Sequence, residues 1–345
     1  MVNFLLLWMR FDVNPICFKI PFINHPIAWY GVIFAGSFYL GYRLFIWMHI
    51  RQNLNTFSIP KEFKDIKIPD GYKLSKKNQR YYLFFKKRSS DYELVEKLKL
   101  RLYLFEVYPK KIESIEKKSI IFSESALFYI IVATVVGARL GHIIFYENII
   151  EFIYFPLDIF KTWEGGLASH GGIIGILLAA YIFVKKNKSL SFLTFMDLIS
   201  APTMFVCAFI RIGNLINQEI LGSQTSAPWG IIFLNPADGS GVFPRHPIQI
   251  YEFILYIGVF IFIYLVWSKN LYKKITGFYT GIALSISFGL RFFLEFLKIP
   301  QSVYDQNFPI QIGQLLSIPM TLFGLFLIFN SIKMQDSLDK KRADL

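Results

Sequence analysis

Cysteine, histidine and acidic side chains are all scarce in this chain. Its 345 residues include 2 Cys, 5 His, and 24 Asp and Glu against 37 Lys and Arg. Cys17 and Cys207 stand far apart and match no metal-ligand spacing, so they build neither a zinc site nor a disulfide framework, and each reads as a small apolar residue. No His-Glu-x-x-His is present for a metalloprotease, and no Gly-x-Ser-x-Gly for a serine nucleophile elbow. The glycines around His170 miss the dinucleotide spacing and follow no strand pattern. Neither a metal nor a cofactor is expected. Alternating ten-residue strands are missing too, which excludes a transmembrane β-barrel. The run Phe4 to Met9 is too short for a signal peptide and is followed by Arg10 and Asp12, so no cleavable leader is expected. The formal net charge of +13 would suit nucleic acid if it were spread over one face. It is concentrated in a few loops instead, so no nucleic-acid partner is expected.

Apolar sequence is abundant. Hydrophobic residues make up 54% of the chain and aromatics 18%, and several runs approach the ~20 residues that cross a hydrocarbon core of ~30 Å. The expected fold is an all-α polytopic membrane protein with about seven transmembrane helices. Residues 1–26, broken by Pro15, Pro21 and Pro26, form an N-terminal arm. A first span over 27–50 opens with Trp29 and Tyr30 as interface aromatics. Residues 51–118 are a basic insert in which Lys and Arg outnumber Asp and Glu by roughly two to one; it cannot cross a membrane and suits the cytoplasm, near anionic lipid. The remaining spans fall within 119–332, centred on 125–146, 170–184, 193–216, 247–267, 275–297 and 312–332, and 333–345 is a charged tail. Most of the 37 Lys and Arg lie after spans one, three and five and in the tail. The positive-inside rule then places the N-terminus outside and the C-terminus in the cytoplasm.

With that orientation, the polar residues of the spans gather at their outer ends. Tyr30 opens the first. Arg139 and His142 lie near the end of the second, and His170 starts the third within Trp163-Glu164-Gly165-Gly166-Leu167-Ala168-Ser169-His170-Gly171-Gly172-Ile173-Ile174-Gly175. Arg211, Asn214 and Gln218 close the fourth, three and four apart on one helix face. Glu252 lies in the first turns of the fifth, and Arg291 and Glu295 near the end of the sixth. Charges at membrane depth are costly and usually face a cavity or a partner. Three arginines near one depth call for an anion, and guanidinium matches phosphate with paired hydrogen bonds. A lipid headgroup supplies one. Plainer readings stand beside this one: the glycines around His170 as close helix packing, Arg291 and Glu295 as an intrahelical ion pair, and Arg139 snorkelling to the interface. An anion transporter is a further alternative, though such proteins place the site at midplane and show repeated halves, and no repeat is seen here. So is a non-enzymatic scaffold whose basic insert binds a cytoplasmic partner.

On these residues the chain resembles the prolipoprotein diacylglyceryl transferases of bacterial membranes. The resemblance rests on Ala28-Trp29-Tyr30-Gly31, Gly137-Ala138-Arg139-Leu140-Gly141, Trp163-Glu164-Gly165-Gly166 with His170-Gly171-Gly172, and Arg211-Ile212-Gly213-Asn214 running on to Gly222. Arg245-His246-Pro247 with Gln249 to Glu252, Arg291-Phe292-Phe293-Leu294-Glu295, and Gly313-Gln314 add to it. It covers nearly the whole chain apart from residues 51 to about 118. The family implies transfer of the diacylglyceryl group of phosphatidylglycerol to the lipobox cysteine thiol of a prolipoprotein signal peptide. A thioether forms and glycerol-1-phosphate leaves, at a multi-pass site in the bacterial inner membrane, with membrane lipid as the other partner. It implies catalytic roles for His170, Arg211 and Arg291, and substrate binding by Tyr30, Arg139, Asn214, Glu219, Gly222 and Glu295. A thiol becomes a strong nucleophile only as thiolate, and His170 suits the task of taking its proton. Four features depart from the family pattern. The basic insert is long, Leu221 and Ser223 flank Gly222, Ser287-Phe288-Gly289 precedes Arg291, and Lys298 replaces an arginine.

Overall fold

The computed structural model describes residues 8–22, 24–56, 72–77, 80–86, 92–94, 109–147, 154–160, 168–188, 190–269, 276–299 and 310–343. Among the described residues there are seven α-helices: α1 (Trp29–Thr56), α2 (Pro109–Tyr146), α3 (Ser169–Asn187), α4 (Phe192–Ile216), α5 (Ile248–Ser268), α6 (Phe278–Glu295) and α7 (Ile312–Ala343). Among the described residues, α1, α2, α4, α5 and α7 are long and apolar enough to cross a membrane, which makes this a helical membrane protein. Their outward surfaces agree. Ile131, Val132, Val135 and Val136 on α2, and Leu322, Phe323, Phe326 and Phe329 on α7, are exposed. Apolar patches of that extent are rare on soluble monomers and suit lipid.

The helices are not the whole fold. Eight short strands also occur among the described residues, where the sequence suggested only an arm, an insert and a loop. At two to seven residues each they are too short to leave a period-2 signal. Strand β1 (Met9–Phe11) pairs parallel with β7 (Ile231–Phe233), which pairs antiparallel with β8 (Pro244–Arg245); β2 (Ile16–Ile20) and β3 (His25–Ala28) form a hairpin feeding α1. The N-terminal arm is thereby stitched to the α4–α5 loop: Trp8 Nε1 donates to the Ala227 carbonyl at 3.0 Å. Helix α2 starts ten residues inside the expected insert, because the stretch from Pro109 holds good helix formers and a Glu113–Lys117 pair at 2.7 Å, four residues apart. For the same compositional reason α7 runs on through most of the expected charged tail.

The chain divides into two compact units. One comprises residues 1–45 and 129–345, the other residues 46–128. The second contains the antiparallel sheet β4 (Tyr72–Lys77), β5 (Arg80–Lys86) and β6 (Tyr92–Leu94). In it the end of α1 meets the start of α2, where Asn53 Nδ2 donates to Ser119 Oγ at 2.9 Å.

In the first unit, two contacts place the functional segments. Asp197 on α4 accepts from the Gly277 N–H at 2.7 Å and from the N–H and hydroxyl of Thr280 at 2.8 Å each. It satisfies the open N–H groups at the start of α6 from a neighbouring helix, as an N-cap residue does from its own chain. The second contact is a glycine seam between α2 and α3. A β-carbon on Gly171 would collide with the Gly137 carbonyl and lie 2.8 Å from the Gly141 Cα, and one on Gly175 would meet the Ala133 carbonyl. Backbone packs on backbone here, and close packing is what these glycines supply. Gly172 is different: its nearest neighbours would be ordinary contacts at 3.6–3.7 Å. Gly171→Ala should therefore lower the thermal unfolding midpoint of the detergent-solubilised protein by several degrees, while Gly172→Ala leaves it nearly unchanged. Equal effects of the two would show that the seam is not what holds these helices together.

Candidate active site

Four elements of the first unit converge on one polar cluster. Helix α4 presents Arg211 and Asn214 near its end, and the loop after it supplies Gln218 and Glu219. Helix α5 contributes Gln249, Glu252 and Tyr256 from one face, three and four residues apart. Helix α6 ends with Arg291 and Glu295, followed by Lys298, and α1 opens with Tyr30.

A chain of alternating charge runs through this cluster. Arg211 Nε lies 3.0 Å from Glu252 Oε2, and Lys298 Nζ lies 2.9 Å from the other oxygen of the same carboxylate. Lys298 also reaches Glu295 at 3.0 Å, and Glu295 lies 3.8 Å from Arg291 Nε. Glu252 is fully buried, with Lys298 and Glu295 nearly so. Buried charges persist only when paired, and here one acid lies between each successive pair of cations. The Arg211–Glu252 distance is that of an ion pair, yet neither Glu252 oxygen nor Arg211 Nε makes an aligned hydrogen bond. The Arg211 guanidinium also lies 5.7 Å from the centre of the Tyr256 ring.

A second thread leads from Arg211 to the loop. Its Nη1 donates to Asn214 Oδ1 at 3.2 Å, and Asn214 Nδ2 donates to Glu219 Oε1 at 2.6 Å. Tyr30 joins here: its ring packs on Gly213, where a β-carbon would lie 2.8 Å from Cδ2, and its hydroxyl is in hydrogen-bonding reach of Asn214. Glu219 is flanked by two residues in the left-handed region, Gln218 (φ 52°) and Ile220 (φ 57°). A β-branched residue there is an outlier costing on the order of 1–3 kcal/mol. The surroundings hold it in place. Gln218 Oε1 accepts from the Asn235 N–H at 2.8 Å, the Gln218 carbonyl accepts from the Ala237 N–H at 3.0 Å, and Gln249 Nε2 donates to the Glu219 carbonyl at 2.7 Å.

Gly222 is enclosed by protein, since a β-carbon there would strike the His246 carbonyl and lie 2.9 Å from Ile248. Its neighbours pair with the segment after α6, Ser223 N–H to the Leu297 carbonyl at 2.7 Å and Ile299 N–H to the Leu221 carbonyl at 3.3 Å. That pairing brings Lys298 up to Glu252. Leu221, in place of an aromatic, is buried with Ile231 and Phe233. Arg245 braces the loop from the other side, donating to Ser240 Oγ at 2.7 Å and to the Gly241 carbonyl at 3.1 Å, with its guanidinium 3.9 Å from the Phe243 ring. Burial draws the Arg245 pKa below its usual value, against the pull of Asp238. Slight burial would raise the Asp238 carboxyl, but the hydroxyl and N–H of Ser240 and the charge of Arg245 outweigh it and hold the pKa below the usual range.

Of the residues singled out in the sequence, Tyr30, Arg211, Asn214, Glu219, Arg291 and Glu295 lie in this cluster, and Gly222 packs beneath it. Arg139 is engaged elsewhere, donating to the carbonyls of Ile159 at 2.9 Å and Asp158 at 2.7 Å, with Glu147 at 3.5 Å. Glu147 also meets His142 at 2.9 Å. His170 is the second residue of α3; its side chain, like residues 161–167, lies outside the described residues. Among the described residues no group of three or more His, Cys, Asp or Glu is arranged to hold a metal ion. Glu252, Lys298 and Gln249 join the cluster without being among the site residues that the resemblance implies. The spacing of Gln249, Glu252 and Tyr256 on one face of an otherwise apolar helix was the available signal.

The family profile described as prolipoprotein diacylglyceryl transferase matches residues 102–330, which hold every residue of the cluster except Tyr30. The phosphatidylglycerol–prolipoprotein diacylglyceryl transferase of Protochlamydia amoebophila is 33% identical, over 96% of this chain and 97% of its own length. This chain belongs to the prolipoprotein diacylglyceryl transferase family. Proteins of the same description from Tolumonas auensis and Chloroherpeton thalassium are 41% and 42% identical over 61% and 62% of the chain. As a family member it is a transferase.

Glu252→Gln strips Arg211 of its acid, a change that costs about 3–5 kcal/mol for a buried pair. Lys298→Met leaves each acid one arginine and should cost less. Thermal unfolding in detergent ranks the two, and the reverse order would remove Glu252 from the centre of the network. The Asp238 contribution has a pH signature. Because its folded pKa is depressed, its stabilisation is present above the unfolded value of about 3.9 and lost as pH falls through the lower folded one. Hydrogen-exchange protection of the 236–245 loop, taken relative to the intrinsic amide rate at each pH, should fall below about pH 4 in the native protein and already be reduced at neutral pH in Asp238→Asn.

Proposed function

We propose that this protein transfers the diacylglyceryl group of phosphatidylglycerol to the lipobox cysteine thiol of a prolipoprotein, the first step of lipoprotein maturation. The thiol sulfur forms a bond to the phosphate-bearing carbon of the diacylated glycerol, and that carbon's bond to the phosphate oxygen breaks. The electron pair leaves with glycerol-1-phosphate, and the thiol proton passes to a base, assigned to His170. Family membership and the relatives' names support the substrates. The arrangement of Arg211 and Arg291 around the Glu252–Lys298–Glu295 network carries the mechanism. Fixed guanidinium groups in a site of low dielectric stabilise a leaving group that gains negative charge as its bond breaks. Asn214 and Tyr30 orient the headgroup, Glu219 holds Asn214, and Glu295 holds Arg291. Arg139 braces the neighbouring loop and Gly222 the floor of the site.

The same reading assigns all seven helices to the membrane, the N-terminus to the outer side, the C-terminus to the cytoplasm, and the protein to the bacterial inner membrane. Incubating the purified protein with phosphatidylglycerol and a lipobox peptide should add the mass of a diacylglyceryl group to the cysteine; an unmodified peptide would refute the proposal. His170→Gln should abolish that gain while the unfolding midpoint is kept, and full activity would exclude it as the base. Arg211→Lys keeps the charge but loses the planar fork, so the rate should fall at least ~100-fold, the scale of losing one oxyanion donor. An unchanged rate would count against paired phosphate contacts.

A further inference from the structure

Buried polar side-chain atoms are almost always hydrogen-bonded, and each exception in a folded protein asks for an explanation. Among the described residues the exceptions are Arg211 Nε, both carboxylate oxygens of Glu252, and Gln249 Oε1. All belong to the cluster at the ends of α4 and α5. The first three compensate one another as an ion pair at 3.0 Å, with Lys298 at 2.9 Å from the second oxygen. Gln249 Oε1 is left without a hydrogen bond, on a residue with no exposed surface.

The orientation of that amide follows from its neighbour. The other end of Gln249 lies 2.7 Å from the Glu219 carbonyl oxygen, which can only accept, so the NH₂ group must face it and Oε1 must point away. The strained backbone around Glu219 is held by this bond, which keeps the amide from turning over. Gln249 stands three residues before Glu252, so the two side chains leave the same face of α5 about 5–6 Å apart. Glu252 marks the place of Arg211. Gln249 Oε1 is thus an unpaired acceptor one helical turn from the acid that holds Arg211, and a glycerol headgroup whose phosphate lay on Arg211 would bring free hydroxyls to that side of the site.

We infer that Gln249 Oε1 accepts a hydrogen bond from a hydroxyl of the phospholipid headgroup and so selects a hydroxyl-bearing lipid as donor. This rests on the transferase reading above. Gln249 is a binding residue in this scheme and takes no part in proton transfer. A buried acceptor left empty costs about 1–3 kcal/mol, so a lipid without the hydroxyl is penalised even when its phosphate and acyl chains fit.

The test compares two donors in the full-length protein, phosphatidylglycerol and phosphatidylmethanol, whose headgroup has no hydroxyl. The wild type should favour phosphatidylglycerol, and in Gln249→Met the ratio of the two rates should fall about ten- to hundred-fold. Taking the ratio within each protein removes any difference in folded fraction. An unchanged ratio in the variant, or no preference in the wild type, overturns the inference: Gln249 would then only brace Glu219 or hold a water. If the wild type consumes neither lipid, the transferase reading fails, and binding still decides Gln249. Phosphatidylglycerol should raise the unfolding midpoint more than phosphatidylmethanol does in the wild type, and equally with it in Gln249→Met. Equal shifts in the wild type overturn the inference, whereas lipidation of the peptide by phosphatidylglycerol with an unaltered donor ratio leaves the transferase reading standing without it.

Discussion

The buried carboxylate of Glu252 is the interaction on which the site depends. Alone, three cations from two helical segments would repel one another and resist leaving water. With Glu252 between Arg211 and Lys298, and Glu295 between Lys298 and Arg291, the three cations are interleaved with two acids, and the Glu219 carboxylate lies beside them on Asn214. That arrangement fixes Arg211 and Arg291 in place through their acid partners. It also explains why Lys298 serves where the family pattern has an arginine. Its part is to bridge two acids, and an ammonium with three donors does that without the planar fork needed for phosphate.

The scaffold is arranged to keep that network in register. Asp197 caps α6 from within α4, so the far end of α6, with Arg291 and Glu295, is tied to the helix that carries Arg211. The pairing of Leu221 and Ser223 with the segment after α6 closes the other end. Gly313 lets the first turn of α7 lie directly against the Glu295 carboxylate, which a β-carbon would displace. Strain at Gln218 and Ile220 is confined to the residues flanking Glu219, where the loop must turn its carboxylate back to Asn214. The capping of α6 by Asp197 and the pairing of Leu221 and Ser223 join residues more than seventy positions apart in sequence.

Much of the fold could be read directly. Helix positions followed from the apolar runs, and each expected span meets an α-helix among the described residues, five of them long and apolar enough to cross a membrane. The short strands did not show, because two to seven residues give too little alternation to detect, and the pairing of β1 with β7 joins segments more than two hundred residues apart. The glycines around His170 illustrate the same limit. Their composition fits both a ligand approach and helix packing, and the contacts of Gly171 and Gly175 with Gly137 and Ala133 belong to packing.

Residue type and order along the chain determined that this is a helical membrane protein, which family it belongs to, and that Arg211, Asn214 and Arg291 are its most telling polar residues. Charge at membrane depth is expensive enough to stand out in a linear sequence. Only the tertiary structure decided which acid meets which base. Lys298, a mild substitution in the sequence, bridges two carboxylates; Arg139, equal to the other arginines in the sequence, binds the carbonyls of Asp158 and Ile159. Ion pairing and hydrogen bonding act over about 3 Å, and no spacing along the chain records which helix ends come that close.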